Sequence, residues 1–160
     1  PVPFSVIQTM FDAGSPPGMR HYWRSSFVRE LSGDLIDMMV ANAPDLPLPG
    51  SLLLLEHMGG AVGRVGPTDT AFSNRDAQHN VSLLSVWLDA AEDEANIAWT
   101  RRTGDELKKY GTGGGYVNYM ADEGEAAVRA TYEVNLERLI EVKRKYDPTN
   151  VFSANQNIAP

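Results

Sequence analysis

Apolar and polar positions change period partway along the chain. Up to residue 89, one helical stretch apart, the apolar residues come in short runs or alternate, the mark of strands; beyond it they return every three or four positions, the mark of helices. Residues 4–11, FSVIQTMF, alternate loosely and predict a strand. The turn-rich DAGSPPG at 12–18 leads to an aromatic RHYWRSSFV at 20–28, which suits a second strand. Leu31, Leu35, Met38 and Met39 then keep helical spacing, with Ser32 placed to cap and Asp34 in the first turn. That helix should end before Pro44, in the proline-punctuated loop 43–51. Residues 52–65 predict a buried strand, a glycine pair and a short return, and 70–76 and 78–89 two more strands.

Asp89 and Glu92 have capping-box spacing and open a helix that should run to Tyr110 and stop at the glycines of 111–115. YVNYM at 116–120 is a short segment after them. Asp122 and Glu125 repeat the capping spacing, and one helix, or two joined by a bend, should follow. There Leu136, Leu139, Ile140 and Tyr146 share a face, Glu141 and Lys145 are an i,i+4 pair, and Asp147-Pro148 is the stop. Strands with one helix, followed by helices, predict an α+β fold: an antiparallel sheet covered by helices on one side, then a C-terminal helix followed by an irregular strip. The pattern itself shows no clear split into two domains.

Composition narrows the function classes. At 160 residues the chain can build one real core. Its net charge of -7 argues against nucleic acid or an anionic membrane as partner. The longest apolar run, Leu52–Leu55, is strand-sized and far from membrane-spanning length. With no cysteine there is no disulfide or thiolate chemistry. The start, PVPFSVIQTM, has no basic leader and no initiator Met, and reads as that of a processed chain or a piece of a longer one; the compartment stays open.

Generic catalytic motifs are scarce. His21, His57 and His79 fall on three predicted strands without HExxH spacing, so no metal site is expected. No GxSxG elbow is present. GGAVGRVG at 59–66 lacks the GK[ST] ending of a phosphate loop, and GTGGGY at 111–116 follows a helix instead of preceding one. Both read first as turns, although the second leaves Tyr116 with little steric cover. Most aromatics read as core. Arg75 reads as an edge or surface ion pair, with a weaker claim on the pocket.

More specific are three runs near the end: Tyr-x-Asn-Tyr at 116–119, the N-L-x-R-L-x-x-V-K-x-x-Y-D-P-x-N-x-F run from Asn135 to Phe152, and NQNI at 155–158. Together they resemble the end of the berberine bridge enzyme-like oxidases of the vanillyl-alcohol-oxidase class. Looser likeness extends upstream through YWRSSFVREL, GGAVGRV and DTAFSNRDAQ. The resemblance implies that 1–120 is part of a substrate-binding sheet domain. Residues 121–160 would be the C-terminal helix and tail that return to an N-terminal FAD-binding domain, whether on the same or a separate chain. It implies FAD as cofactor and oxidation of an alcohol, sugar or secondary metabolite by hydride transfer to flavin N5, the isolated chain being inactive. Tyr116 matches the tyrosine often cast as base. If YVN is extended, Asn118 lies on the same side. Asn118, Asn155 and Gln156 are then the candidates for the flavin, and His57, Asn80 and Ser82 for the substrate. Ser82 stands where members often carry a glutamine, five residues before the tryptophan that corresponds to Trp87. Two rivals remain at this point: a catalytically silent α+β binding module without flavin, and a cofactor-free enzyme that uses a histidine.

Overall fold

In the computed structural model, which describes residues 1–10, 12, 16–47 and 50–160, three strands form one antiparallel sheet. They are β1 (Arg20–Val28), β2 (Leu52–His57) and β3 (His79–Trp87). β3 is central, in the order β1-β3-β2, and is buried along almost all its length. Registers are regular: Ser25 faces Ser82 on one side and Leu54 faces Ser82 on the other.

Alternation divides the sheet into two faces. Val81, Leu83 and Ser85 look toward the helices α2 (Gly33–Asn42) and α3 (Asp93–Leu107). Val28, Leu35, Val81 and Leu107 make the core there. The fully buried Ser85 and Thr100 hydroxyls bond to each other inside it, and Thr100 also donates to Asn96 O at 3.0 Å. Ser32 caps α2 by accepting from Leu35 N at 3.2 Å. The first face is thus the helix-covered side of an α+β fold. The second carries Phe27, Ser25 and Trp23 of β1, Glu56 and Leu54 of β2, and Asn80, Ser82 and Leu84 of β3.

Several elements differ from expectation. Residues 4–8 form a short helix, α1 (Phe4–Gln8), begun after Pro3 and without a buried residue; their loose alternation had no sheet to join. Residues 70–76 are not a strand. Arg75 gathers them by donating to Phe72 O at 3.2 Å, Val62 O at 3.1 Å and Thr70 Oγ1 at 2.6 Å, so it is a loop brace and, among the described residues, makes no ion pair. No return strand follows the glycine pair, only a 3-10 turn at Val62–Arg64. Asp89 caps a 3-10 turn that leads into α3, accepting from Ala91 N at 2.9 Å. The last helical stretch is two pieces, α4 (Glu125–Tyr132) and α5 (Leu136–Tyr146), bent at Glu133 where φ is 41°. Within α5 only Leu136 is buried and Tyr146 is exposed. The i,i+4 pair found at its end is Lys143–Asp147, not Glu141–Lys145. The connections at 12–18 and 43–51 lie partly outside the described residues. Among the described residues no helix is long and apolar enough to cross a membrane.

Candidate active site

Tyr116 sits where the glycine run meets the edge of β1. Gly115 packs so closely there that a Cβ would lie 2.7 Å from Ser25 O, and Gly114 would meet Ala130 O at 3.0 Å. Only bare backbone passes. The run is pinned by Thr112 N donating to Phe27 O at 2.8 Å and Tyr116 N to Ser25 Oγ at 2.8 Å. Downstream, Glu123 accepts from Tyr22 and Arg24 of β1. Burial by itself raises the Glu123 carboxyl, but those donors outweigh it and hold the group below its ordinary value. Tyr116 is therefore fixed from both sides by bonds to one strand.

Val117–Tyr119 make a single 3-10 turn, so the extended stretch expected around Asn118 is not there. The turn still brings the pair together: Asn118 Nδ2 donates to Tyr116 Oη at 2.9 Å. Tyr119 lies edge-on to Tyr116, ring centroids 5.1 Å apart, and edge-on to Trp23 at 5.8 Å. Its hydroxyl donates to Glu56 Oε1 at 3.3 Å. Burial first, and then the negative charge of Glu56, raise the Tyr119 phenol above its usual value.

Glu56 is the centre of the polar group on this face. Its Oε2 accepts from Asn80 Nδ2 at 2.7 Å and from Ser82 Oγ at 3.3 Å; Asn80 Nδ2 also reaches Ser82 Oγ at 3.1 Å. Asn80 and Ser82 are thus brought together, next to the tyrosines. His57 is not, because its register partner is His79 and both belong to the opposite face. The two imidazoles lie 5.3 Å apart. Among the described residues no three His, Asp or Glu side chains gather as metal ligands. Glu56 went unnoticed in sequence because it ends an apolar run, LLLLEH, and reads as a strand terminus. The signal was its parity with Leu54 and Leu52, which only the pairing with β3 makes meaningful.

A cavity of about 340 Å³ opens beside this group, lined by Glu56, Asn80 and Tyr116 with Arg75, Phe27 and Phe72 among its walls. A cavity of about 350 Å³ lies between β1, α3 and α4, but its charged groups Arg24, Glu123 and Lys108 are already held in ion pairs. Chemistry favours the former.

The tail comes back to the same segment. Asp147 accepts from Val151 N at 2.7 Å and Phe152 N at 3.0 Å and turns the chain after α5. Gln156 Nε2 then donates to Met120 O at 2.7 Å. Asn155 is exposed, with φ 57°, and the buried Asn157 Oδ1 has no partner among the described residues.

Residues 115–159 match the family model described as berberine and berberine like. Along 99% of its length the chain is 34% identical to an uncharacterized FAD-linked oxidoreductase, YgaK, of Bacillus subtilis, and 29% identical to an FAD-linked oxidoreductase of Dictyostelium discoideum. It spans 35% of each of those relatives, about a third of their length. Among solved structures, BBE-like #28 of Arabidopsis thaliana superposes with a TM-score of 0.78 over 91% of this chain and 34% of that one, at 19% identity, a likeness of fold. GilR, an oxidoreductase of gilvocarcin biosynthesis, gives 0.72 over 83% of this chain and 31% of its own, at 27% identity.

Proposed function

The chain is a berberine bridge enzyme-like one, and from that premise we propose that it supplies the substrate-facing sheet and the C-terminal segment of an FAD-dependent oxidoreductase. Residues 1–120 are the sheet part, and 121–160 the helix and tail that meet an FAD-binding domain. The substrate is an alcohol, sugar or other secondary metabolite. The observation that carries this reading is the hydrogen bond from Asn118 to Tyr116, which lines a cavity together with Glu56 and Asn80.

Tyr116 removes the hydroxyl proton of the substrate. A phenol, ordinarily near pKa 10, serves as base only when its anion is stabilised. Asn118 donates to Tyr116 Oη and so orients the phenol, while leaving that oxygen a lone pair for the substrate. Tyr119 is unsuited to the task, since burial and Glu56 keep it protonated. Glu56 holds Asn80 and Ser82 in place on the sheet and keeps Tyr119 turned away as a donor. FAD, when bound, supplies the acceptor for the hydride.

The donor set near Tyr116 suits that group. Asn118 and Gln156 bring amides to the 116–120 segment, Asn155 is exposed next to Gln156, and Asn157 Oδ1, without a partner among the described residues, is an acceptor of the kind a ring N–H of the isoalloxazine requires. His57 is better placed as a strand-end residue than in the substrate pocket.

The test is Tyr116→Phe in the flavin-loaded protein. Anaerobic flavin reduction should slow by about 10²–10⁴-fold, the usual worth of a general base. An unchanged rate would remove Tyr116 from that role. A protein that carries no flavin visible spectrum would favour a binding module instead.

A further inference from the structure

Asn80 presents a polar atom that the sheet does not use. The residue is 2% exposed and lines the 340 Å³ cavity. Both bonds of its amide group run from Nδ2, to Glu56 and to Ser82. Its Oδ1 is buried without a partner among the described residues. Turning the amide over does not cure this, because Oδ1 would then face the Glu56 carboxylate, acceptor against acceptor. An unsatisfied buried acceptor is costly, and such a position wants a donor from outside.

The rest of the wall fits the same ligand chemistry. Glu56 is an acceptor. Arg75, the cation at the cavity, has its guanidinium committed to three acceptors within its own loop and lies 4.7 Å from the Phe72 ring centre. It braces the loop and does not offer an anion site. Phe27, Met58, Val62 and Phe72 make the rest of the lining apolar, with Phe27 directly across the sheet from Asn80. The polar wall thus asks for hydrogen-bond donors, and the apolar wall for a hydrocarbon face.

We infer that Asn80 is a specificity-determining residue that accepts a hydrogen bond from a second hydroxyl of the substrate, so the preferred substrates are uncharged diols or polyols with one apolar face. This rests on the oxidase reading for the place of the first hydroxyl, at Tyr116. Carboxylated or phosphorylated analogues are disfavoured, since they bring acceptors to a wall of acceptors.

Calorimetric titration of the flavin-loaded protein with trans-1,2-cyclohexanediol, cyclohexanol and cyclohexanecarboxylate tests it. The diol should bind about tenfold more tightly than cyclohexanol, the worth of one good hydrogen bond. The carboxylate should bind more weakly than either. Asn80→Leu should bring the diol-to-alcohol ratio close to one. Equal affinities in the wild type, failure of the diol to bind, tighter binding of the carboxylate, or a ratio that survives in Asn80→Leu would each overturn the inference. The wild-type comparison decides even if the variant does not fold. Diol binding that depends on Asn80 without bleaching the flavin would leave this inference standing and sink the oxidase reading.

Discussion

One carboxylate separates the roles of Tyr116 and Tyr119, rings only 5.1 Å apart. Tyr119 donates to Glu56 and is held protonated; Tyr116 accepts from Asn118. Glu56 also satisfies Asn80 and Ser82, both nearly inaccessible to solvent. Replacing it by leucine leaves those donors buried without their acceptor, so Glu56→Leu should lower stability by about 1–3 kcal/mol, the penalty of an unmet polar group. Glu56→Gln, which keeps an acceptor oxygen, should lose less. Urea unfolding of the two variants checks the order, and equal losses would mean that Glu56 acts by packing alone. Sequence could name Tyr116 and Asn118 because they sit in one short motif. It could not find Glu56, since its partners lie 24 and 26 residues away and the link exists only in the β2–β3 register.

Elements were legible where local rules and tertiary packing agreed. β1 occupies the expected residues 20–28, and Ser32 caps α2, because the aromatic run and the cap each have a partner in the fold. Where the signal was alternation without a neighbour, at residues 4–11, a short helix won instead. The tail is held by the opposite device, one side chain serving many bonds. Asp147 pairs with Lys143 and accepts two amide protons, while Lys143 Nζ also donates to Phe152 O at 2.6 Å. The hydrogen bond from Lys143 comes first; burial opposes it, and the Val151 and Phe152 amides add to it. The carboxyl is held below its ordinary value. A depressed carboxylate stabilises the fold above the ordinary carboxylate range and loses that contribution as pH falls through the depressed value. The Val151 and Phe152 amides should therefore be protected from hydrogen exchange near neutral pH and lose protection on acidification before the β3 amides do. Asp147→Ala should show the unprotected tail at every pH. Protection that persists in that variant would show that Asp147 does not hold the turn.

For the molecule as a whole, the unequal cover of its apolar surface matters most. β3 is buried along almost all its length, yet α5 buries only Leu136 and leaves Leu139 and Ile140 half-covered. Nearby, Tyr146 is 72% exposed, and Val151 and Phe152 are 72% and 80% exposed. Phe152 is tied to α5 through Lys143, which holds it near the end of that helix. Where exposed apolar residues are contiguous on a monomer they mark an interaction site. These residues lie in the segment that, in the proposed enzyme, meets the FAD-binding domain. The chain of 160 residues alone should then self-associate: sedimentation should show a weight-average mass that rises with concentration, and a hydrophobic dye should bind. Val151→Ser with Phe152→Ser should shift the population toward monomer without changing the unfolding of the sheet, since neither side chain reaches the core. A wild-type chain that stays monomeric at every concentration and binds no dye would mean that the exposed residues are too dispersed to form an interface, and the C-terminal segment would lose its claim as the docking surface.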